Sequence, residues 1–236
     1  EKTISSFASS HPDFQETAGS NQEMAALIQE VAKLLEAAER PVLLVGRGVI
    51  LSGTASKLRY LAERNDLPVI TSLLGLDAFP ASDSRALGMP GMHGTERANY
   101  SLQDADLVLG LGIRFDDRVI GRPDRFAPNA RIVHFDIDAT AVERTMRADI
   151  AVVADLSESL KILLPLVPKA DRTAWWERIR EWNREADPIL ERRSAGFRRM
   201  GPLGAREAIR AVARKITQSQ AIAVSDVGQH QMWVAQ

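Results

Sequence analysis

Five short, almost continuously apolar runs punctuate the chain: Pro41–Val45 (PVLLV), Pro68–Ser72 (PVITS), Asp106–Leu111 (DLVLGL), Arg131–Phe135 (RIVHF) and Ile150–Val153 (IAVV). A strand with one face in water alternates apolar and polar residues. A run without that alternation suits a strand buried on both faces, as in a parallel sheet covered by helices. Segments of helical period separate the runs. Met24, Leu27, Ile28, Val31, Leu34 and Leu35 recur at helical spacing, between a cap at Ser20 or Asn21 and a stop at Arg40-Pro41. Ala55, Leu58, Leu61 and Ala62 mark a second helix. Strand and helix alternate at βαβ spacing from about residue 41 to 166. That predicts an α/β fold, doubly wound, with a mainly parallel five- or six-stranded sheet and helices on both faces.

The rest of the chain is organised around this domain, expected at 21–167. Residues 1–20 are rich in small polar residues and read as a linker. Ser157 is expected to cap a helix carrying Leu160, Ile162, Leu163 and Leu166, which Pro168 ends. Asp171–Ala186 predicts a charged helix with Trp175, Trp176, Ile179 and Trp182 on one side, bridging two domains with its Trp stripe on a neighbour. It belongs to a helical linker spanning 168–201, whose Arg-rich part at 187–201 reads as a solvated face. Pro202 opens another unit, 202–236, with an amphipathic helix through Ala208, Ile209, Val212 and Ile216, a strand at Ala221–Val224 and a turn at Ser225–Gln229. A chain that opens at Glu1 and stops inside this unit is expected to be a piece of a longer enzyme, inactive alone.

Charge and composition exclude several classes. Lys and Arg number 30 against 31 Asp and Glu, a net charge of −1. No basic stripe of a nucleic-acid binder is present, and no apolar run approaches the roughly 20 residues that span a bilayer. Cysteine is absent, which removes disulfides and thiolate chemistry and suits a reducing, cytoplasmic setting. The four histidines, at 11, 93, 134 and 230, lack metal-ligand spacing. No GxSxG or P-loop occurs. His134, inside an apolar strand, reads as a satisfied interior histidine.

The remaining signals sit at strand ends. Gly46-Arg47-Gly48 follows a strand and precedes a helix, where dinucleotide folds place a phosphate-binding turn. Leu51 occupies the third glycine position and no acid ends the next strand, so a plain tight turn fits equally. Ser72–Pro80 follows the second strand. Leu87–Gly94 (LGMPGMHG) packs glycines, two methionines and His93 into eight residues, suiting either close approach to a flat ring or an irregular surface loop. Gly112–Val119 (GIRFDDRV) sets Arg114, Asp116, Asp117 and Arg118 on one loop, as phosphate and hydroxyl anchors or as an internal ion-pair cluster. Asp136 and Asp138 suit a sugar hydroxyl or the cap of a following helix.

Taken in order, RPVLLVGRG, LLGLDAFP, LGMPGMHGTERANY, LGIRFDDRV with Gly121, RIVHFDID and VGQHQMWVAQ resemble the FAD-containing acetolactate synthase (acetohydroxyacid synthase) large subunits. The resemblance covers about 39–166 and 202–236. It implies a central FAD-binding domain, followed by the start of the domain that holds thiamine diphosphate. It implies FAD contacts from Gly46, Arg47, Gly48, Ser72, Leu73, Gly91, Met92, His93, Gly112, Arg114, Asp116, Asp136, Ile137, Asp155 and Leu156. Asp117 and Arg118 are implied to face a substrate or inhibitor channel, and Val227, Gly228, Gln229 and His230 to approach the thiamine cofactor's diphosphate. No catalytic residue and no metal ligand is implied within this chain. Relatives often carry three glycines where Arg47 intervenes, and Asp77 stands where glycine is usual. The implied reaction condenses two pyruvates to 2-acetolactate, or pyruvate with 2-oxobutyrate, releasing CO2 on thiamine diphosphate and Mg2+. The implied partners are small 2-ketoacids, further copies in a dimer or tetramer, and a small regulatory subunit, with no nucleic acid or membrane. Another FAD and thiamine-diphosphate carboligase, such as glyoxylate carboligase, is the alternative enzyme reading; a non-catalytic nucleotide-binding module is the alternative of another class.

Overall fold

Buried on both faces, the apolar runs pair into one sheet in the computed structural model, which describes residues 15–16, 21–142, 144–182, 205–217 and 222–235. The strands are β1 (Gln15–Glu16), β2 (Pro41–Val45), β3 (Val69–Thr71), β4 (Ala86–Gly88), β5 (Leu107–Leu111), β6 (Arg131–Asp136) and β7 (Ile150–Val153). All pairings are parallel, in the order β1-β7-β6-β5-β2-β3-β4. The six strands β2–β7 form the doubly wound sheet expected from the sequence. β1 adds a two-residue edge beside β7, from a stretch read as linker.

From β2 the chain winds outward through β3 to β4. It then returns to lay β5 on the other side of β2 and continues to β6 and β7. The reversal creates a switch point between β2 and β5, where strand-end loops diverge and ligands of such folds bind.

Successive side chains alternate between two cores. Leu43, Val45, Val69, Leu109, Val133 and Phe135 enter one, with α1 (Asn21–Ala37), α3 (Ala55–Arg64) and α6 (Leu156–Leu166) over it. Val42, Leu44, Ile70, Val108 and Ile132 enter the other. There α4 (Glu96–Asp104) contributes only Ala98, Ser101 and Leu102 as buried residues. So small a contribution leaves apolar sheet uncovered, and the helix α7, at 173–182, fills the place.

This differs from the bridging role expected for the Trp stripe. Trp175 and Ile179 are each 2% exposed, inside the second core with Trp182. The Trp175 indole N–H donates to Pro41 O at 3.2 Å and that of Trp176 to Asp66 O at 3.1 Å. Just before the helix, Arg172 is buried. Its guanidinium donates to the carbonyls of Leu35 (2.9 Å) and Ala38, and to Asn65 at both the carbonyl (3.0 Å) and the side-chain oxygen (2.6 Å). Burial pulls this guanidinium below its ordinary pKa, with Asp106 and Asp66 acting in the opposite direction. The α7 segment is therefore bolted to the α1–β2 and α3–β3 connections.

Two further expectations are corrected. Asp155, not Ser157, caps α6: its carboxylate accepts from the N–H groups of Ser157 (2.8 Å) and Glu158 (3.2 Å). Ser157 lies inside the first turn, where its hydroxyl meets Lys57 Nζ at 2.6 Å. The run 222–224 is not a strand: no ladder partner lies beside it among the described residues, and Ile222 and Val224 are each 91% exposed. The helices α8 (Ala205–Thr217) and α9 (Gln229–Ala235) flank it, with a short α2 (Gly48–Leu51) and α5 (Asp117–Ile120) in the main domain. Ala221, most of 1–20 and the arginine-rich part of the expected linker lie outside the described residues. Among the described residues no helix is long and apolar enough to cross a membrane.

If α7 is a structural cover, Trp175→Ala should cost about 3–5 kcal/mol as a buried aromatic is truncated. Arg172→Met should cost at least about 2 kcal/mol, because buried carbonyls lose their donor. Urea denaturation reads both, and unchanged midpoints would refute the cover.

Candidate functional site

At the switch point the loops after β2 and β5 meet through backbone alone. Gly46 N–H donates to Leu111 O (3.0 Å) and Gly48 N–H to Gly112 O (2.9 Å). A β-carbon on Gly46 would stand 2.3 Å from Gly112 O, and one on Gly48 2.6 Å from Gly112 Cα. Gly112 itself has φ +53°. Packing of loop on loop therefore requires these glycines whether or not a ligand approaches. Arg47 sits exposed on the turn, Ser72 and Leu73 lie half-buried at the end of β3, and Arg114 projects into solvent after β5.

The GIRFDDRV loop is anchored by residues that the charge pattern hides. Phe115 is buried over Gly110, where a β-carbon would lie 2.6 Å from its ring. The ring meets His134 edge-on at 4.8 Å and Phe126 at 6.1 Å. His134 Nε2 donates to Ile113 O at 2.8 Å, with Asp136 Oδ2 3.7 Å away, so this histidine is the satisfied interior residue expected. Asp116 caps α5, accepting from the N–H groups of Arg118 (3.2 Å) and Val119 (3.1 Å). Arg114, Asp116, Asp117 and Arg118 form no ion pairs with one another among the described residues, so the cluster alternative is not what the loop builds.

Asp136 and Asp138 do not cap a helix, because turns follow β6. Asp136 Oδ1 accepts from Asp138 N–H (3.0 Å), and Asp138 Oδ1 accepts from the N–H (2.9 Å) and hydroxyl (2.7 Å) of Thr140. The Thr140 hydroxyl, aided by its N–H and by Arg114, holds the Asp138 carboxyl below its ordinary range. At the end of β7, Asp155 is exposed while the Leu156 side chain lies in the first core, which leaves Leu156 its backbone for any ligand.

A cleft of about 740 Å³ opens beside this row. Gly91, Met92 and His93 form one wall, α4 contributes Asn99, Leu102 and Gln103, and α5 contributes Asp117, Arg118, Val119 and Ile120. Val227, Gly228, Gln231 and Met232 close the far side. Asn99 holds the glycine loop on both sides, accepting from Gly91 N–H (2.7 Å) and donating to Gly91 O (2.9 Å). Gly91 has φ +89°, and a β-carbon there would press to 2.3 Å from Arg118 O. Met92 is 92% exposed.

The cleft thus unites Gly91, Met92, His93, Asp117, Arg118, Val227 and Gly228 of the expected residues. Gly46, Arg47, Gly48, Ser72, Leu73, Gly112, Arg114, Asp116, Asp136, Ile137, Asp155 and Leu156 share the carboxyl edge but not the cleft lining. Gln229 opens α9, and the exposed His230 is not among the residues that line the cleft. Sequence reasoning missed Asn99, Gln103, Gln231 and Met232. The i, i+3 and i+4 relation of Asn99, Leu102 and Gln103 behind the Gly-Met-His loop was the available signal. Among the described residues no group of His, Asp and Glu is placed to hold a metal ion.

A parallel sheet with this reversal, and this row of strand-end loops, defines a doubly wound α/β domain. The chain belongs to the thiamine pyrophosphate enzyme family: the description "Thiamine pyrophosphate enzyme, central domain" matches residues 28–163. Among curated proteins it is 43% identical over 202 residues to the acetolactate synthase large subunit of Parasynechococcus marenigrum, covering 84% of this chain and 31% of that protein. It is 37% identical over 203 residues to the large subunit of Haemophilus influenzae, covering 84% and 34%. To the isozyme 3 large subunit of Escherichia coli it is 36% identical over 204 residues, again covering 84% and 34%. The chain spans about a third of the length of these relatives.

Asn99→Ala should loosen the cleft wall. Both bonds to Gly91 are lost, at a cost of about 1–3 kcal/mol, and hydrogen exchange should speed at 89–94 while β2 and β5 stay protected. Equal exchange in wild type and variant would remove Asn99 from this role.

Proposed function

We propose that the chain is the FAD-binding portion of an acetolactate synthase large subunit, a thiamine-diphosphate-dependent enzyme of branched-chain amino-acid biosynthesis. The observation that carries this reading is the row of loops on one sheet edge, running from β4 to β7. Six strands about 4.8 Å apart make a row about 24 Å long, suited to an extended dinucleotide rather than a mononucleotide.

The residues present fit FAD. Arg47 and Arg114 flank the switch point, both exposed and neither in an ion pair among the described residues. Their forked donors suit a diphosphate. Asp136 and Asp155 accept their loop N–H groups at Oδ1, and the second oxygens, that of Asp136 lying 3.7 Å from His134 Nε2, suit ribose or ribityl hydroxyls. Met92 offers a soft apolar surface to a flat ring. In the family that the sequence resembles, FAD carries no net redox step and thiamine diphosphate with Mg2+ supplies the carbanion chemistry. Ser72, Leu73, Gly91, His93, Gly112, Asp116, Ile137 and Leu156 complete the proposed flavin contacts. Asp117 and Arg118 face the channel for pyruvate and 2-oxobutyrate, across the cleft from Val227 and Gly228, which with Gln229 and His230 approach the thiamine cofactor's diphosphate.

No catalytic side chain is assigned within the chain. Its work is to bind and orient. The relatives' designation as large subunits supports a small regulatory partner, within a cytoplasmic dimer or tetramer.

The 236-residue chain should quench FAD fluorescence saturably but weakly, since one side of the flavin is uncovered, and should not bind NAD comparably. Arg114→Ala should weaken FAD about tenfold, or about 1.4 kcal/mol, with little change in unfolding temperature. With pyruvate, thiamine diphosphate, Mg2+ and FAD, the chain alone should form no acetolactate. Equal binding of NAD and FAD, or indifference to Arg114→Ala, would overturn the reading.

A further inference from the structure

Two walls of the carboxyl-edge cleft touch at one point. Gly91 belongs to the loop that displays Met92, and Arg118 belongs to α5. The hydrogen on Gly91 that a side chain would replace points at Arg118 O, so closely that any β-carbon would collide with it. Among the described residues no backbone N–H donates to that carbonyl, which lies at the end of a four-residue helix. Gly91 is therefore what this part of α5 rests on.

Gly91 is itself pinned. Its N–H donates to Asn99 Oδ1 at 2.7 Å. Its carbonyl accepts from Asn99 Nδ2 and from Gly94 N–H, both at 2.9 Å, which uses both lone pairs. Asn99 stands on a firm base, because Thr95 caps α4 by accepting from Ala98 N–H at 3.2 Å. Ala98 and Leu102, on either side of Asn99 in sequence, are buried in the second core. By contrast α5 is barely one turn, too short to hold its own shape. Asp116 caps it and Ile120 anchors it in the second core, while Asp117 and Arg118 project outward. The bearing of those two side chains follows from the fixed points of the turn, and the Gly91 contact is one of them.

We propose that Asn99 is a positioning residue for the α5 wall: by clasping Gly91 it fixes the Arg118 carbonyl, and so couples the Met92 face to Asp117 and Arg118. This rests on the reading of Met92 as the flavin face and of Asp117 and Arg118 as the ketoacid channel. The consequence is cooperative binding. A flat ring on Met92 steadies the loop against α5, and a carboxylate drawn to Arg118 steadies the same contact from the other side. Each ligand lowers the ordering cost left to the other, and the effect is reciprocal by linkage.

The test titrates the chain with FAD by fluorescence quenching, with and without saturating pyruvate, at ionic strength matched with NaCl. Pyruvate should lower the FAD dissociation constant about fivefold. In Asn99→Ala that ratio should fall to one. Asn99→Asp keeps the acceptor for Gly91 N–H and loses the donor, so its ratio should lie between. A merely structural Asn99 would weaken FAD equally in both arms and leave the ratio intact. Hydrogen exchange without ligand is the second measurement. The Ile120 and Gly121 amides, bonded to Asp116 O (3.0 Å) and Asp117 O (2.8 Å), should exchange faster in Asn99→Ala. An unchanged ratio in Asn99→Ala, indifference of the wild type to pyruvate, or unaltered exchange in α5 would overturn the proposal. Should FAD bind in neither arm, the flavin reading falls, and exchange in α5 alone decides the role of Asn99.

Discussion

Everything on the functional edge hangs from the seam between β2 and β5. These two strands are neighbours in space but are separated in sequence by two strands and their crossovers. Their loops then continue the sheet's contact beyond its last ladder bond, glycine backbone against glycine backbone. No side chain larger than hydrogen fits there. The seam therefore fixes where Arg47 and Arg114 emerge, on either side of one crevice. Had the approach been made through side chains, the two arginines would stand several ångströms further apart and their orientation would follow rotamers rather than backbone.

The two cores hold that seam in unequal ways. One is conventional, with three amphipathic helices laid over alternating strand residues. The other depends on α4, a mostly polar helix, and on aromatic residues that arrive late in the chain. Phe115 belongs to this second core, wedged over Gly110 and against His134. Loop and core are thus one object there: the charged residues around Phe115 are displayed by a ring that they do not resemble in chemistry.

The strands were legible because burial on both faces leaves no polar residues to break a run. β2 and β7 match their apolar segments residue for residue. β4 was not legible. It is three residues long, at the open edge, and two of its three are only half-buried, so it carries no run to detect. α4 was missed for a related reason, since a helix that buries an alanine, a serine and a leucine shows little apolar periodicity. The reverse error occurred at 222–224, where apolar residues signal a strand but no neighbour among the described residues supplies the ladder. Within the site, the glycines and charged residues were visible as types. The Asn99 clasp was not, because its meaning lies in a loop eight residues away in sequence.

The central-domain match ends at residue 163, yet among the described residues the side chains that close the second core run on to Trp182. The unit defined by that match and the unit defined by solvent are not the same. A piece cut at residue 163 would keep every strand from β2 to β7 and lose both Arg172 and the tryptophans. Its bare flank, from Val42 to Ile132, would then look for cover in other molecules, and aggregation rather than unfolding would be its first visible defect.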